Sequence, residues 1–239
     1  MIVLVTGGAS SGKSAFAERV ACALPAPHVY LATMQGAGAE AAARIERHRA
    51  LRAGKGFETV ECPNMLESLA HSGSLPDQGT VLLEDLGNLA ANEMFAEHSR
   101  TAGEVMAGID SVASQCANLV IVTNEIGSDG CSYDDATRAY LEFLGALACA
   151  CAARADAVVE VVAGTPHILK DGDGDHPLCS FGAGQMEVEP LACDKDVRIE
   201  AASLVCDEGV RTEAASSVCD EGVRTEAASL VCDKDGAQC

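Results

Sequence analysis

Short apolar runs alternate with helical patterns along the first 170 residues of the chain. The runs have the length of strands, and the most apolar of them have the composition of strands buried on both faces of a sheet. They are residues 2–5, 29–32, 57–61, 81–83, 119–123 and 157–162. Helical patterns are found at residues 13–24, 39–51, 65–70, 89–95, 102–113 and 134–154. Repeated strand–helix units predict an α/β fold, a mostly parallel sheet with helices on both faces.

The last quarter of the chain follows a different pattern, a repeat with a period of 13 residues. A helix turns by about 100° per residue, so successive copies would not share a helix face. The repeat is marked by Cys193, Cys206, Cys219 and Cys232. Residues 187–239 hold 13 acidic and 5 basic side chains. We expect this acidic tail to be disordered or weakly helical. A metal-binding cysteine array is the alternative, although zinc sites pair cysteines two to four residues apart.

The Gly- and Asp-rich segment before the tail predicts a linker over residues 171–186. The expected organisation is therefore a catalytic domain over residues 1–170, this linker, and the repeat tail. A hairpin is expected around His167, just before the linker.

Charge and composition exclude several classes of function. The net charge is −20 and aromatic residues make up only 3% of the chain, with no Trp. An acidic surface without stacking side chains argues against a nucleic-acid binder. The chain has no run of 18 apolar residues, so no membrane span is expected. The first residues lack the pattern of a signal peptide, and the 12 cysteines are therefore expected to be reduced thiols in the cytoplasm.

Residues 7–14 form the most specific motif of the chain. Their sequence, Gly-Gly-Ala-Ser-Ser-Gly-Lys-Ser, fits G-x-x-x-x-G-K-[ST] and lies between a predicted strand and a predicted helix. In that context the backbone N–H groups of the loop and the helix N-terminus bind phosphate groups. The predicted nucleotide-binding residues of the loop are Gly7, Gly8, Ala9, Ser10, Ser11, Gly12, Lys13 and Ser14. The motif predicts a P-loop NTPase fold of the RecA-like kind.

A magnesium ion at such a loop needs oxygen ligands from two places. The Ser14 hydroxyl is the first candidate. The second is an acid that directly follows the apolar strand at residues 81–83, with Glu84 as first choice and Asp85 as the alternative. The sequence therefore predicts Mg²⁺ held by Ser14 and Glu84.

Several segments together resemble the bifunctional adenosylcobinamide kinase/adenosylcobinamide-phosphate guanylyltransferase family of cobalamin biosynthesis. Their order and spacing cover residues 1–170. The most discriminating segments are Arg44-Ile45 with His48-Arg49, and Val122-Thr-Asn-Glu-Ile-Gly127. The other segments are 2–8 with 11–14, 30–33, Arg52, 59–61, 82–84 with Asn92, and 164–170.

The resemblance implies two reactions with ATP and GTP as substrates. An NTP phosphorylates the corrinoid adenosylcobinamide, and GTP then transfers GMP, through a histidine, to the new phosphate. The matching residues imply that His48 and Lys13 are catalytic and that nucleotides also contact Thr33, Arg44, Arg52, Glu61 and Glu84. The family further implies a homo-oligomer, a trimer. A neutral imidazole is a competent nucleophile near pH 7.

Two alternatives remain at this point. The chain departs from residues usual in the family at Ser10, at 129–132 and at Ala148-Cys149. A P-loop kinase for another small hydroxyl compound, without guanylyltransferase activity, is therefore one alternative. A nucleotide-dependent regulatory protein is the other.

Overall fold

The computed structural model describes residues 1–35 and 54–172. Within these ranges the chain forms seven strands, four α-helices and one 3₁₀ helix. In chain order they are β1 Ile2–Thr6, α1 Lys13–Ala23, β2 His28–Ala32, β3 Phe57–Glu61, the 3₁₀ helix Leu66–His71, β4 Thr80–Glu84, α2 Leu86–Met94, α3 Ala102–Gln115, β5 Asn118–Val122, α4 Asp135–Arg154, β6 Ala157–Val162 and β7 Thr165–Asp171. Three predicted segments lie outside the described residues, namely the helix at 39–51, residues 173–186 of the linker, and the repeat tail.

The seven strands form one sheet in the order β3-β2-β4-β5-β1-β6-β7. All neighbouring pairs among β1 to β6 are parallel. β7 runs antiparallel to β6, so it closes the hairpin that was expected around His167. The predicted mostly parallel sheet is confirmed. One strand, β5, lies between β1, which leads into the phosphate loop, and β4, which ends at Glu84.

Helices cover both faces of this sheet, as the strand–helix repeats predict. On one face Phe16, Ala17 and Val20 of α1 pack against alternate residues of the central strands. On the other face α2, α3 and α4 pack against the remaining strand residues, with Leu89, Ile109 and Leu147 fully buried. Burying apolar side chains on both faces accounts for the near-continuous apolar runs in the central strands. None of the helices in the described residues is long and apolar enough to cross a membrane.

The largest difference between predicted and observed helix bounds concerns α2, which begins at Leu86 rather than at residue 89. Asp85 is its N-cap residue, and its Oδ1 accepts a hydrogen bond of 2.6 Å from the backbone N–H of Asn88. An N-cap carboxylate satisfies an amide that has no partner within the helix. The helix therefore starts directly after β4, although its apolar periodicity becomes clear only from Leu89 onward.

The carboxyl ends of the central strands meet at one edge of the sheet, where backbone hydrogen bonds join the segments that follow them. The Thr33 N–H donates to the Glu84 carbonyl at 3.1 Å, and the Thr123 N–H to the Val5 carbonyl at 2.9 Å. The Glu125 N–H donates to the Gly7 carbonyl at 3.0 Å. Ligand sites of open α/β sheets lie at this edge, and all further candidate residues that the structure describes are found here.

Candidate active site

The phosphate loop connects β1 directly to the first turn of α1. Gly12 is the N-cap residue of α1, with φ of +90°, a conformation that glycine adopts without steric cost. No side chain caps this helix, so the amides of its first turn remain available to a ligand. Free amides and the positive end of the helix dipole together form an anion-binding site. The loop thus has the local geometry that its sequence motif predicts.

The end of β6 and the turn that follows it pack against the phosphate loop. A Cβ atom on Gly7 would lie 2.5 Å from the Val161 carbonyl oxygen, and one on Gly12 would lie 3.4 Å from the Gly164 Cα. The Gly164 N–H also donates to the Ser11 carbonyl at 2.8 Å. Gly7 is therefore required by close backbone packing and not by conformational freedom alone.

Replacing Gly7 by alanine should damage the loop, whereas replacing Gly8 should not. The new methyl group of Gly7→Ala would collide with the Val161 carbonyl, and we expect a loss of about 1–3 kcal/mol in the free energy of unfolding, together with weaker nucleotide binding. A Cβ on Gly8 has no neighbour within 4 Å, so Gly8→Ala is the matched control. Urea unfolding of both variants measures the difference. Equal stability of the two variants would contradict the packing described here.

Lys13 is the first residue of α1 and is almost completely buried, with 7% of its surface exposed. Its Nζ donates a hydrogen bond of 3.0 Å to the Gly8 carbonyl and so lies within the loop. Burial lowers the pKa of Lys13, and the negative charges of Asp85 and Glu84 act in the opposite direction. A cation that is held inside a curl of backbone amides can neutralise a phosphate group with little reorganisation.

Glu84 ends β4 close to the start of α1. Burial raises the pKa of this carboxyl group, while hydrogen bonds from Ser14 and Tyr30 partly offset the rise. Its Oε2 is buried and has no hydrogen-bond partner. A carboxylate beside a serine hydroxyl, with an unsatisfied oxygen, has the hard oxygen donors that Mg²⁺ requires. The residues present therefore fit a magnesium ion at Ser14 and Glu84.

Asp85, the alternative metal ligand, has other contacts. Its Oδ1 caps α2, and its Oδ2 accepts a hydrogen bond of 3.0 Å from the Asn124 side chain. Its backbone carbonyl accepts from the Thr33 hydroxyl at 2.8 Å. Both carboxylate oxygens thus have protein partners, and the geometry favours Glu84 over Asp85 as the metal-binding acid.

The remaining predicted residues differ in how much the structure says about them. Thr33 is fully buried beside Asp85, and Asn92 holds the segment in place by donating to the carbonyls of Thr33 and Pro63 at 2.8 and 2.9 Å. Glu61 ends β3, the outermost strand on that side of the sheet, and pairs in register with Ala32 of β2. It therefore lies at the carboxyl edge of the sheet. Arg44, His48 and Arg52 lie outside the described residues.

Two residues that contact the acids of the site, Asn124 and Tyr30, were not predicted as site residues from the sequence. Asn124 orients Asp85, and Tyr30 donates to Glu84. Both lie in segments that support the family resemblance. A polar residue directly after a strand was the available signal for Asn124, whereas the Tyr30 contact arises from strand pairing between β2 and β4.

Glu84→Gln should raise the stability of the protein at neutral pH and lower its activity. Because the folded chain binds the Glu84 proton more tightly than the unfolded chain, the free energy of unfolding falls as pH rises from the ordinary carboxyl range through the raised pKa. The neutral amide removes this fall, so the variant should be the more stable protein at neutral pH in the absence of nucleotide. Loss of the metal-binding carboxylate should reduce kcat by about 100-fold.

Urea unfolding between pH 4 and 8 and a steady-state assay check this expectation. Glu58→Gln, at an exposed position in β3, is the control and should change neither quantity. A Glu84→Gln protein that is less stable than the wild type at neutral pH would show that the charged form is favoured by its surroundings.

The phosphate loop at the carboxyl edge of a mostly parallel sheet, with a buried lysine and a strand-end glutamate, defines a P-loop nucleotide-binding α/β protein. A family model described as cobinamide kinase / cobinamide phosphate guanyltransferase matches residues 3–169. The chain belongs to this family, whose members combine a kinase and a guanylyltransferase activity. The resemblance stated from the sequence is confirmed.

Curated relatives agree with this assignment. The chain is 32% identical over 169 residues to the bifunctional adenosylcobalamin biosynthesis protein CobP of Pseudomonas aeruginosa, a match that covers 70% of this chain and 96% of that protein. It is 34% identical over 179 residues to the bifunctional adenosylcobalamin biosynthesis protein CobU of Salmonella typhimurium, a match that covers 69% of this chain and 97% of that protein.

Among solved structures the chain is similar to the flagellar accessory protein FlaH of Methanocaldococcus jannaschii. The TM-score is 0.42 and the identity 14%, and the match covers 72% of this chain and 78% of that one.

Proposed function

We propose that this protein phosphorylates the aminopropanol hydroxyl of adenosylcobinamide and then converts the product to adenosylcobinamide-GDP with GTP. The proposal rests on the phosphate loop with Lys13 inside it and on the Glu84 carboxylate beside Ser14, whose Oε2 has no hydrogen-bond partner, in a chain of a family with both activities. ATP and GTP are the substrates that such a site accepts.

In the kinase step the chain acts by positioning and by neutralising charge. The backbone amides of residues 7–14 bind the triphosphate, and the Lys13 ammonium group contacts the β- and γ-phosphates. Ser14 would hold Mg²⁺ through its hydroxyl and Glu84 would hold it through water, and the ion would supply charge neutralisation for the phosphates. Asp85 holds the start of α2 against this edge through Asn124 and Thr33.

In the guanylyl-transfer step His48 is the nucleophile. Its neutral imidazole nitrogen forms a bond to the α-phosphorus of GTP, and pyrophosphate leaves. An oxygen of the corrinoid phosphate then displaces the histidine, and GMP is transferred. On a helix Arg44, His48 and Arg52 would share one face, and the two arginines would hold the α-phosphate and keep the imidazole unprotonated. Thr33 and Glu61 complete the nucleotide contacts.

The catalytic domain is residues 1–170 together with Asp171, which ends β7, and it is followed by the linker up to residue 186 and by a tail at 187–239 that is not needed for catalysis. The protein works as a homo-oligomer, a trimer, in the cytoplasm. It binds the corrinoid and nucleotides and does not bind nucleic acid.

An acceptor assay distinguishes this function from its alternatives. The purified full chain is incubated with adenosylcobinamide, ATP, GTP and Mg²⁺, and the corrinoid products are separated and weighed by mass spectrometry. We expect adenosylcobinamide phosphate first and adenosylcobinamide-GDP second. The phosphate alone would show a kinase without guanylyltransferase activity. Nucleotide binding without any corrinoid product would indicate a regulatory protein.

A further inference from the structure

The side chain of Asn92 in α2 joins the two chain segments that follow β2 and β3. Its Nδ2 donates to the Thr33 carbonyl at 2.8 Å and to the Pro63 carbonyl at 2.9 Å. A primary amide has two N–H donors, and both are used here. The Cys62 N–H also donates to the Ala32 carbonyl at 2.9 Å. The ends of these neighbouring strands are therefore held together by one backbone hydrogen bond and by one side chain.

α2 is fixed to the same two segments at other points. Near its start, the Asp85 carbonyl accepts a hydrogen bond from the Thr33 hydroxyl at 2.8 Å. Near its end, the Glu93 carboxylate accepts from the Met65 N–H at 2.7 Å and from the Arg100 side chain at 3.1 Å. Glu93 is only 2% exposed, and hydrogen bonds to a buried charged group are strong. The helix is thus a fixed support for the amide that joins the two segments.

The joined segments carry residues to which the proposed function assigns nucleotide contacts. Thr33 is one of these residues, and Glu61 ends β3 two residues before Pro63. The proposed nucleophile of guanylyl transfer, His48, lies between Thr33 and Glu61 in the sequence. The groups that act in the kinase step belong instead to the phosphate loop and to the end of β4. Contacts of Asn92 therefore concern the guanylyl-transfer half of the proposed site.

We propose that Asn92 is a positioning residue for guanylyl transfer. By fixing the segments of Thr33 and Glu61 to each other, its amide places both residues at the same nucleotide. The inference rests on the proposed function, in which one chain catalyses both steps. A misplacement of about 1 Å can reduce a rate by about 100-fold, so loss of this amide should slow guanylyl transfer much more than phosphorylation.

Asn92→Leu tests the inference because leucine has a similar size and no N–H donor. In a single turnover with GTP and Mg²⁺, the full-length variant should form the GMP adduct at least about tenfold more slowly than the wild type. Its kcat and its KM for ATP in the phosphorylation of adenosylcobinamide should stay within about threefold, because Lys13, Ser14 and Glu84 are retained. Asn92→Ala, in which water can reach the two carbonyls, should show the same imbalance and serves if the leucine variant does not fold.

Asn118→Leu is the matched control at the opposite edge of the sheet. Asn118 begins β5, is 8% exposed, and donates through Nδ2 to the Thr80 hydroxyl at 3.3 Å. Its replacement should lower the melting temperature and leave the ratio of the adduct-formation rate to the phosphorylation rate unchanged. This ratio separates positioning from stability, because a general loss of folded protein lowers both rates together.

Two results would overturn the inference. One is an unchanged ratio of the two rates in the Asn92 variants. The other is a failure of both variants to fold, since that would give the amide a structural role only. If the wild type forms no GMP adduct and transfers no GMP to the corrinoid phosphate, the proposed function itself fails, so the two failures are distinguishable.

Discussion

Incubation with GTP and Mg²⁺ should add one GMP to the wild-type chain and none to His48→Ala. The expected adduct is a phosphoramidate, because an imidazole nitrogen replaces pyrophosphate on the α-phosphorus. Removal of the nucleophile should abolish guanylyl transfer to the corrinoid phosphate completely, whereas phosphorylation of adenosylcobinamide should persist. Intact-protein mass spectrometry measures the adduct. Treatment with acid should release GMP, since P–N bonds of this kind are acid-labile.

His98→Ala provides the control for a histidine substitution. His98 is exposed in the segment between α2 and α3 and is not part of the proposed site. This variant should carry the adduct to the same extent as the wild type. An adduct that survives in His48→Ala would assign the nucleophile to another residue, and the guanylyl-transfer mechanism would have to be rebuilt around it.

Lys13→Met should reduce kcat/KM of the kinase step by about 10³-fold. The ammonium group is already positioned within the loop by its hydrogen bond to Gly8, so its contribution to the transition state requires little reorganisation. Methionine fills a similar volume without a charge. It also removes a buried cation whose pKa is lowered by burial, and the variant should therefore fold. Steady-state kinetics with adenosylcobinamide and ATP give the ratio.

Lys55→Met controls for the loss of a positive charge. Lys55 lies before β3 and pairs with Glu18 on the surface of α1, away from the carboxyl edge of the sheet. Its replacement should leave kcat/KM within about twofold of the wild type, because the Lys55 side chain is largely in contact with solvent and such a pair contributes little. A Lys13→Met enzyme with near-normal kcat/KM would show that the phosphates are neutralised by other groups.

The sheet could be predicted because its strands are buried on both faces. Runs such as Ile2–Val5 and Leu119–Val122 are apolar at every position, a pattern that exposed strands do not show. The start of α2 could not be found from periodicity, since its first residues, Leu86 and Gly87, precede the clear apolar stripe. Asp85 directly after a strand was the local signal for that start, and its role as a cap became visible only from the contact with Asn88.

The phosphate loop could be predicted in detail, whereas its surroundings could not. The sequence motif alone identifies Lys13 and Ser14 because the chemistry is contained in eight consecutive residues. The choice between Glu84 and Asp85 depends on contacts with Ser14, Tyr30 and Asn124, which come from other strands and helices. Such contacts follow from the order of strands in the sheet, and local sequence does not encode that order.

The end of β6 packs closely against Gly7, and the β6–β7 turn packs against Gly12. The curvature of the phosphate loop is fixed by packing against the β6–β7 hairpin. This hairpin is distant in sequence and contains none of the proposed site residues. Insertions or bulky replacements at Ala163–Gly164 would change the curvature of the phosphate loop and so alter how it binds the triphosphate. The outermost hairpin of the sheet, which looks peripheral in the topology, is therefore one of the places where sequence drift would be least tolerated.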